Sequence, residues 1–375
     1  MSLTSAPRLL HVMQPSVAGV PMAVIELVAH ERASGIDARI AAPAEDDLPA
    51  RCEDRGIPLI AWPAGRSVGR SLFAEMRSLR RIITDLDPAI VHLHSSKAGL
   101  AGRLVLRGRR TTAFSPHGWS FFVPSSTQSL ALRWERFAAR WTHQFHVCCD
   151  DEARVGAEHG IVGYYFSGLN GVDAAQFGFA DESARNDARR DLQIGDEPTV
   201  VCIGRICHQK GQDLLLEAWR QIVDQVPRAR LYLVGGGEDA ADLRATAPDS
   251  VTFVGDQLDV RPWIAAADLV VAPSRYEGLS TAVLESLIMG RSVVAHDAVG
   301  MHSLIGDQAG EVVPIGETDA LGAAIVRRLR DPELCATEGR AGRERVRSQF
   351  ATDVLLPRAL DNTRTLLELR SGRNR

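Results

Sequence analysis

Two carboxylates eight positions apart, Glu277 and Glu285, bracket the run Glu-Gly-Leu-Ser-Thr-Ala-Val-Leu-Glu, just after the apolar stretch Asp268 to Ser274. Gly278 lets the backbone turn tightly before a helix expected to begin near Ser280. Glu277 then sits in a loop and Glu285 inside the helix, with the free N–H groups of the first helical turn between them. Carboxylates accept hydroxyl hydrogen bonds and helix amides attract phosphate, so the pattern suits a ligand rich in both. Upstream, Gly204-Arg-Ile-Cys-His-Gln-Lys-Gly211 joins an apolar run to a helical one. Gly204 permits close backbone approach, Arg205 can hold two phosphate oxygens and Lys210 supplies a point charge, a combination suited to a diphosphate. It is not a Walker-type loop, which needs its lysine directly before Ser or Thr.

These loops need strands and helices to position them, and the chain supplies both in alternation. Strands are expected at Leu9 to Met13, Ala38 to Ala42, Leu59 to Trp62, Ile90 to His94, Thr112 to Ser115 and Gln144 to Cys148. A second series covers Thr199 to Ile203, Arg230 to Val234, Val251 to Val254, Leu269 to Ala272, Ser292 to Ala295 and Glu311 to Pro314. Helical spacing of three and four marks Leu72 to Ile83, Asp213 to Trp219 and Val354 to Leu369. Short apolar runs between helices are the mark of parallel α/β sheets. The rhythm breaks at Gly168 to Asp173, and the polar stretch Phe179 to Arg190 is read as a linker. This divides the chain into residues 1–180, joined by the helix 354–375, and residues 181–353.

At 375 residues there is material for two cores. The net charge of −4 lacks the basic excess of a nucleic-acid binder. Six scattered cysteines without a Cys-x-x-Cys pair are read as reduced thiols rather than zinc or redox sites. No run approaches the ~18 apolar residues of a membrane span, and no leader is evident, so a cytoplasmic protein is expected.

The two loop patterns together resemble the Gly-Arg-x4-Lys-Gly and Glu-x7-Glu elements of the retaining glycosyltransferases of family 4, also called group 1. The resemblance implies an α/β protein of GT-B type: two Rossmann-like parallel-sheet domains facing a central cleft, with a C-terminal helix crossing back to the N-terminal domain. It implies transfer of a sugar from a nucleoside-diphosphate sugar, with uridine the expected base, to an acceptor hydroxyl in glycan, polysaccharide or glycoconjugate assembly. In that family Arg205 and Lys210 would grip the diphosphate, Glu285 the ribose hydroxyls, and Glu277 would lie beside the donor sugar. Gly204, Gly278, Leu279, Ser280 and Thr281 would line the donor, and Gln257 and Leu258 in Gly255-Asp-Gln-Leu would meet the base. Gly19, in Ala18-Gly19 where a Gly-Gly pair is usual, and His117, in Ser115-Pro-His-Gly-Trp119, match family positions near the sugar. His117 is a candidate acid or base, and catalysis is assigned to His117, Glu277, Arg205 and Lys210. Where many relatives carry Gly-x-x-Glu, this chain has Gly300-Met-His-Ser303.

No metal or other cofactor is expected. Asp85-Leu-Asp87 ends a helix rather than following a strand, and His92 with His94 lack a third ligand. The expected partners are the nucleotide sugar and a saccharide, lipid-linked or small-molecule acceptor, without nucleic acid. Trp119 to Phe122 and Arg103, Arg107, Arg109 and Arg110 suggest an apolar and basic surface that could touch a membrane peripherally. Two alternatives stay open. Gly235-Gly-Gly-Glu-Asp-Ala240 formally fits the dinucleotide pattern Gly-x-Gly-x-x-Ala of an NAD(P)-dependent oxidoreductase, and a non-catalytic sugar-nucleotide-binding regulator would use the same residues.

Overall fold

The computed structural model describes residues 6–16, 19–65, 67–122 and 126–373. It divides into two compact units, Met1–Asn170 with Leu355–Arg375, and Gly171–Val354. The first unit holds a seven-stranded sheet: β1 (Arg8–Met13), β2 (Asp37–Ala42), β3 (Leu59–Ala61), β4 (Ile90–His94), β5 (Thr111–Ser115), β6 (Gln144–Val147) and β7 (Tyr165–Ser167). Their order is β3-β2-β1-β4-β5-β6-β7, and every pairing is parallel. The short β7 escaped sequence reading because three half-buried residues carry too little pattern.

The second unit holds β8 (Thr199–Ile203), β9 (Arg230–Val234), β10 (Val251–Gly255), β11 (Leu269–Ala272), β12 (Ser292–His296) and β13 (Gly310–Val313). These six are also all parallel, in the order β10-β9-β8-β11-β12-β13. Helices cover both faces of such a sheet, which is why its central strands are almost wholly apolar. Val200, Leu231, Leu233, Leu269 and Val294 meet Leu215, Trp219 and Ile325 of the covering helices in one core. In each unit the strand order reverses once, between β1 and β4 and between β8 and β11. The loops leaving the C-terminal ends of those strand pairs diverge and open a crevice for ligands.

The stretch Phe179 to Arg190, expected as a linker, instead contains the helix Glu182–Asp191 of the second unit. Its attachment is ionic rather than apolar: Arg185 and Arg189 both bond the Asp268 carboxylate, and Arg189 also donates to the Ala266 carbonyl. A helix held by arginines looks like a connector when judged by hydropathy. The division between units falls ahead of it, at Asn170 and Gly171.

The helix Thr352–Arg373 crosses back to the first unit from Leu355 onward. Leu360 and Leu366 enter the core formed by Leu9, Val24, Val28 and Ile40. The helix continues as far as Arg373. Arg103, expected on a basic surface, is fully buried; its guanidinium forms two bonds to Glu135 and stacks 3.9 Å over the Phe114 ring. Trp119 and Phe121 are likewise core side chains. Arg109 and Arg110 precede β5 and lie at the strand starts, away from the ligand-binding ends.

Candidate functional site

The crevice of the second unit brings together the two patterns first seen in the sequence, because β8 and β11 are direct neighbours. The loop after β8 carries Gly204 to Gly211, and the loop after β11 carries Pro273 to Ser280. Gly211 joins them: its φ is +69°, and a Cβ there would stand 2.1 Å from the Pro273 carbonyl oxygen. Only glycine permits that approach. Cross-loop bonds then lock the pair. Arg275 donates from its backbone to the Gln209 carbonyl and grips Asp213 with two side-chain bonds, while Gln209 reaches the Tyr276 carbonyl.

Lys210 Nζ lies 2.5 Å from Glu277 Oε1, which also accepts a 2.7 Å bond from the Ser274 hydroxyl. Glu277 is nearly buried, so its charge is balanced by one lysine and one hydroxyl. Lys210 thus holds the loop carboxylate in place. Arg205 is different. Its side chain is 60% exposed and, among the described residues, pairs with Glu238 at 3.7 Å, which leaves the guanidinium fork available to an anion.

The helix Thr281–Ile288 begins as expected, with Ser280 as its extended N-cap residue. The Ser280 hydroxyl makes no capping bond, so the first-turn N–H groups face the loop without that partner. Glu285 sits one turn further on, half-buried. Loss of water around it, followed by the charge of Asp259, raises its pKa to about 7. That influence also shows that Glu285 lies near the loop after β10, where base contacts were expected. In that loop Gln257 and Leu258 are exposed, Leu258 completely.

A hollow of about 420 Å³ is lined by Gly204, Arg205, Gly235, Gly236, Asp256 and Gln257, at the C-terminal ends of β8, β9 and β10. Two larger hollows lie at strand starts, near Pro198 and Asp268 and near Pro88 and Thr111. Parallel sheets bind ligands at strand ends, so the smaller hollow is the relevant one.

The glycine triplet Gly235 to Gly237 fills a packing role. A Cβ on Gly235 would stand 2.2 Å from the Gly204 carbonyl oxygen, and one on Gly237 would stand 2.1 Å from that of Ile206. It also follows β9, the second strand of its series, whereas a dinucleotide fingerprint follows the first. The oxidoreductase reading loses its structural basis here.

In the first unit, His117 follows β5 with a left-handed backbone, φ +52°. Glu152 anchors its loop, accepting from the Gly118 and Cys148 amides at 2.6 and 2.7 Å. Burial pulls the His117 pKa down to about 4, which favours the neutral ring near pH 7. Strand alternation places His92 and His94 on one face, and the third ligand judged missing from the sequence is present: His11 of β1 lies directly across from His92. Gly19 opens the helix Gly19–Ala33; its neighbour Ala18 falls outside the described residues. Asp85 and Asp87 are exposed at a helix end, and Asp87 pairs with Arg110 at 2.6 Å. Gly300 caps the helix Met301–Ile305, and the Ser303 carbonyl accepts from Arg345.

Two Rossmann-like parallel-sheet units, one with a basic loop and a carboxylate-flanked helix start at its switch point, make up the GT-B architecture. Family comparisons agree. Residues 197–331 match the glycosyl transferases group 1 model, and residues 18–162 match the glycosyl transferase 4-like domain. An alpha-D-kanosaminyltransferase of Streptomyces kanamyceticus is 30% identical over 298 residues, 73% of this chain and 75% of that protein. A GDP-mannose-dependent alpha-(1-6)-phosphatidylinositol monomannoside mannosyltransferase of Mycobacterium tuberculosis is 34% identical over 208 residues, 51% of this chain and 53% of its own length. The chain therefore spans about half the length of the latter. Sucrose-phosphate synthase from Thermosynechococcus elongatus shares the fold at a TM-score of 0.81 with 22% identity, covering 97% of this chain and 100% of that one. The chain belongs to the group 1 glycosyltransferases.

Proposed function

We propose that the protein transfers a hexose from a nucleoside-diphosphate sugar to an acceptor hydroxyl, with retention of anomeric configuration and without a metal ion. One observation carries the assignment of roles: Arg205, Lys210, Glu277, Glu285 and an open helix start converge at the β8–β11 switch point. As the bond from anomeric carbon to phosphate breaks, negative charge gathers on the departing diphosphate. Arg205, Lys210 and the first-turn amides of Thr281–Ile288 offset it. Glu285 holds the ribose, and Glu277 stays beside the sugar, positioned by Lys210 and Ser274. The acceptor oxygen bonds the anomeric carbon on the face the phosphate leaves, and the hydroxyl proton passes to the departing phosphate oxygen. His117 takes part as a neutral hydrogen-bonding group.

The Mycobacterium relative is named for GDP-mannose and a phosphatidylinositol mannoside. This sets guanine beside the uracil expected from sequence, and a lipid-linked acceptor beside a soluble saccharide. Among the described residues no helix is long and apolar enough to cross a membrane. We place the reaction in the cytoplasm, with any membrane contact peripheral.

Calorimetry with GDP, UDP, ADP and NAD, followed by hydrolysis of GDP-mannose and a panel of UDP sugars, tests this reading. The expected result is binding of one nucleoside diphosphate, weakened at least ~10-fold in Arg205→Ala as a charged hydrogen bond is lost. Binding of NAD without any diphosphate would overturn it.

A further inference from the structure

The histidines of the first unit form a continuous line of hydrogen bonds that begins at a carboxylate. Glu31, on the helix Gly19–Ala33, places Oε2 2.8 Å from His11 Nε2. His11 Nδ1 lies 3.1 Å from His94 Nε2, and His94 Nδ1 lies 3.1 Å from His117 Nε2. Glu31, His11 and His94 are each at most 1% exposed. The far oxygen of Glu31 accepts from the Thr363 hydroxyl at 3.1 Å.

With one proton on each ring, counting along this line leaves one arrangement. A carboxylate only accepts, so His11 carries its proton on Nε2 and offers a lone pair at Nδ1. His94 must then donate from Nε2 and accept at Nδ1. His117 in turn donates from Nε2, which leaves its Nδ1 without a proton. The group beside that nitrogen is the Cys148 sulfur, at 3.8 Å. Burial and the nearby Glu152 charge push the Cys148 thiol well up, so it stays protonated and is a weak donor that a hydroxyl can replace. Burial, with the neighbouring histidines adding to it, keeps His92 and His94 neutral as well, as the line requires.

A cation held by His11, His92 and His94 is the competing explanation, and ring geometry disfavours it. An ion lies in the plane of each ligating imidazole, which at ~2.0–2.1 Å bond lengths sets ring centroids roughly 5 Å apart. His92 and His94 lie closer than that, with centroids 3.9 Å apart and ring planes tilted by 31°. His11 and His94 also use both ring nitrogens in hydrogen bonds.

We propose that Glu31, acting through His11 and His94, fixes the tautomer and orientation of His117 so that Nδ1 is presented as the acceptor for a substrate hydroxyl. Glu31, His11 and His94 are thus positioning residues. The catalytic consequence rests on the glycosyltransferase reading above; the tautomer assignment does not.

Nitrogen-15 imidazole spectra of the purified protein test the assignment without any substrate. His11, His94 and His117 should each show a single Nε2–H tautomer. His94→Phe, which offers no acceptor, should turn His117 into a mixture and lower kcat roughly 10²-fold, with the donor KM little changed. His94→Asn places an amide oxygen about where Nδ1 stood and should restore the His117 Nε2–H form. Glu31→Gln, nearly isosteric, keeps the acceptor for His11 but loses its charge, and should show the same tautomers with broader signals. An Nδ1–H tautomer at His117 in the unaltered protein would overturn the proposal. So would a His117 signal unchanged in His94→Phe, or stoichiometric metal bound through one ring nitrogen of each of His11, His92 and His94. If no transferase activity is found, the spectra still decide the hydrogen-bond line by themselves.

Discussion

Glu285 ties the proposed donor site to pH. Its folded pKa of about 7 stands above the ordinary value of 4.5, because burial and Asp259 both oppose its charge. A raised carboxyl pKa favours the folded state at low pH, so this contribution is complete below about pH 4.5 and is lost as pH rises through 7. The shift corresponds to about 3 kcal/mol lost over that window. Ribose hydroxyls need the ionised form as acceptor, so nucleotide binding should move the opposite way. With a pKa of about 7, roughly a tenth of the carboxyls are ionised at pH 6 and nine-tenths at pH 8. Affinity for the nucleoside diphosphate should therefore rise ~10-fold across that range, about 1.4 kcal/mol. The ligand's own phosphate titrates near pH 6 and adds a slope of its own, which Glu285→Gln isolates. Calorimetry at pH 6, 7 and 8, in buffers of different ionisation enthalpy, should show proton release near pH 7 in the unaltered protein that vanishes in the variant. An identical pH slope in both proteins would refute the link between Glu285 and the ribose.

Two further sets of substitutions test what holds the second unit together. Lys210→Met strands Glu277 with Ser274 alone and should cost about 2 kcal/mol in chemical denaturation, whereas Lys210→Met combined with Glu277→Gln should recover part of that; strictly additive losses would mean the pair is not coupled. Gly211→Ala should cost upwards of ~2 kcal/mol, given its positive φ and its contact with the Pro273 carbonyl, while Gly178→Ala, which meets open space, should be neutral by the same melting assay.

Much of the second unit was legible because its patterns lie in short contiguous runs. Gly204 to Gly211 and Glu277 to Glu285 each name their residue types within one loop, and strand apolarity marked β8 to β13 closely. What escaped is pairing across the fold. That Lys210 holds Glu277 follows only once β8 and β11 are known to be neighbours. His92 and His94 were visible as alternating residues of a strand, but His11 and Glu31 join them through the β1–β4 register and the packing of a helix, neither of which leaves a local trace. Burial misled in the other direction too: Arg103 and Trp119 read as surface chemistry and proved to be interior, because an arginine facing a buried glutamate looks the same in sequence as one facing water.

The crossing of the helix Thr352–Arg373 bears on the order in which the polypeptide can mature. The second unit is one uninterrupted segment and can close as it leaves the ribosome, while the first must wait for Leu360 and Leu366 to fill its core. Until then Thr363 is missing from Glu31, and Asn362 from Gln144 and His146. The half that emerges first is thus finished second, and in that interval its open core exposes apolar surface that a chaperone would recognise.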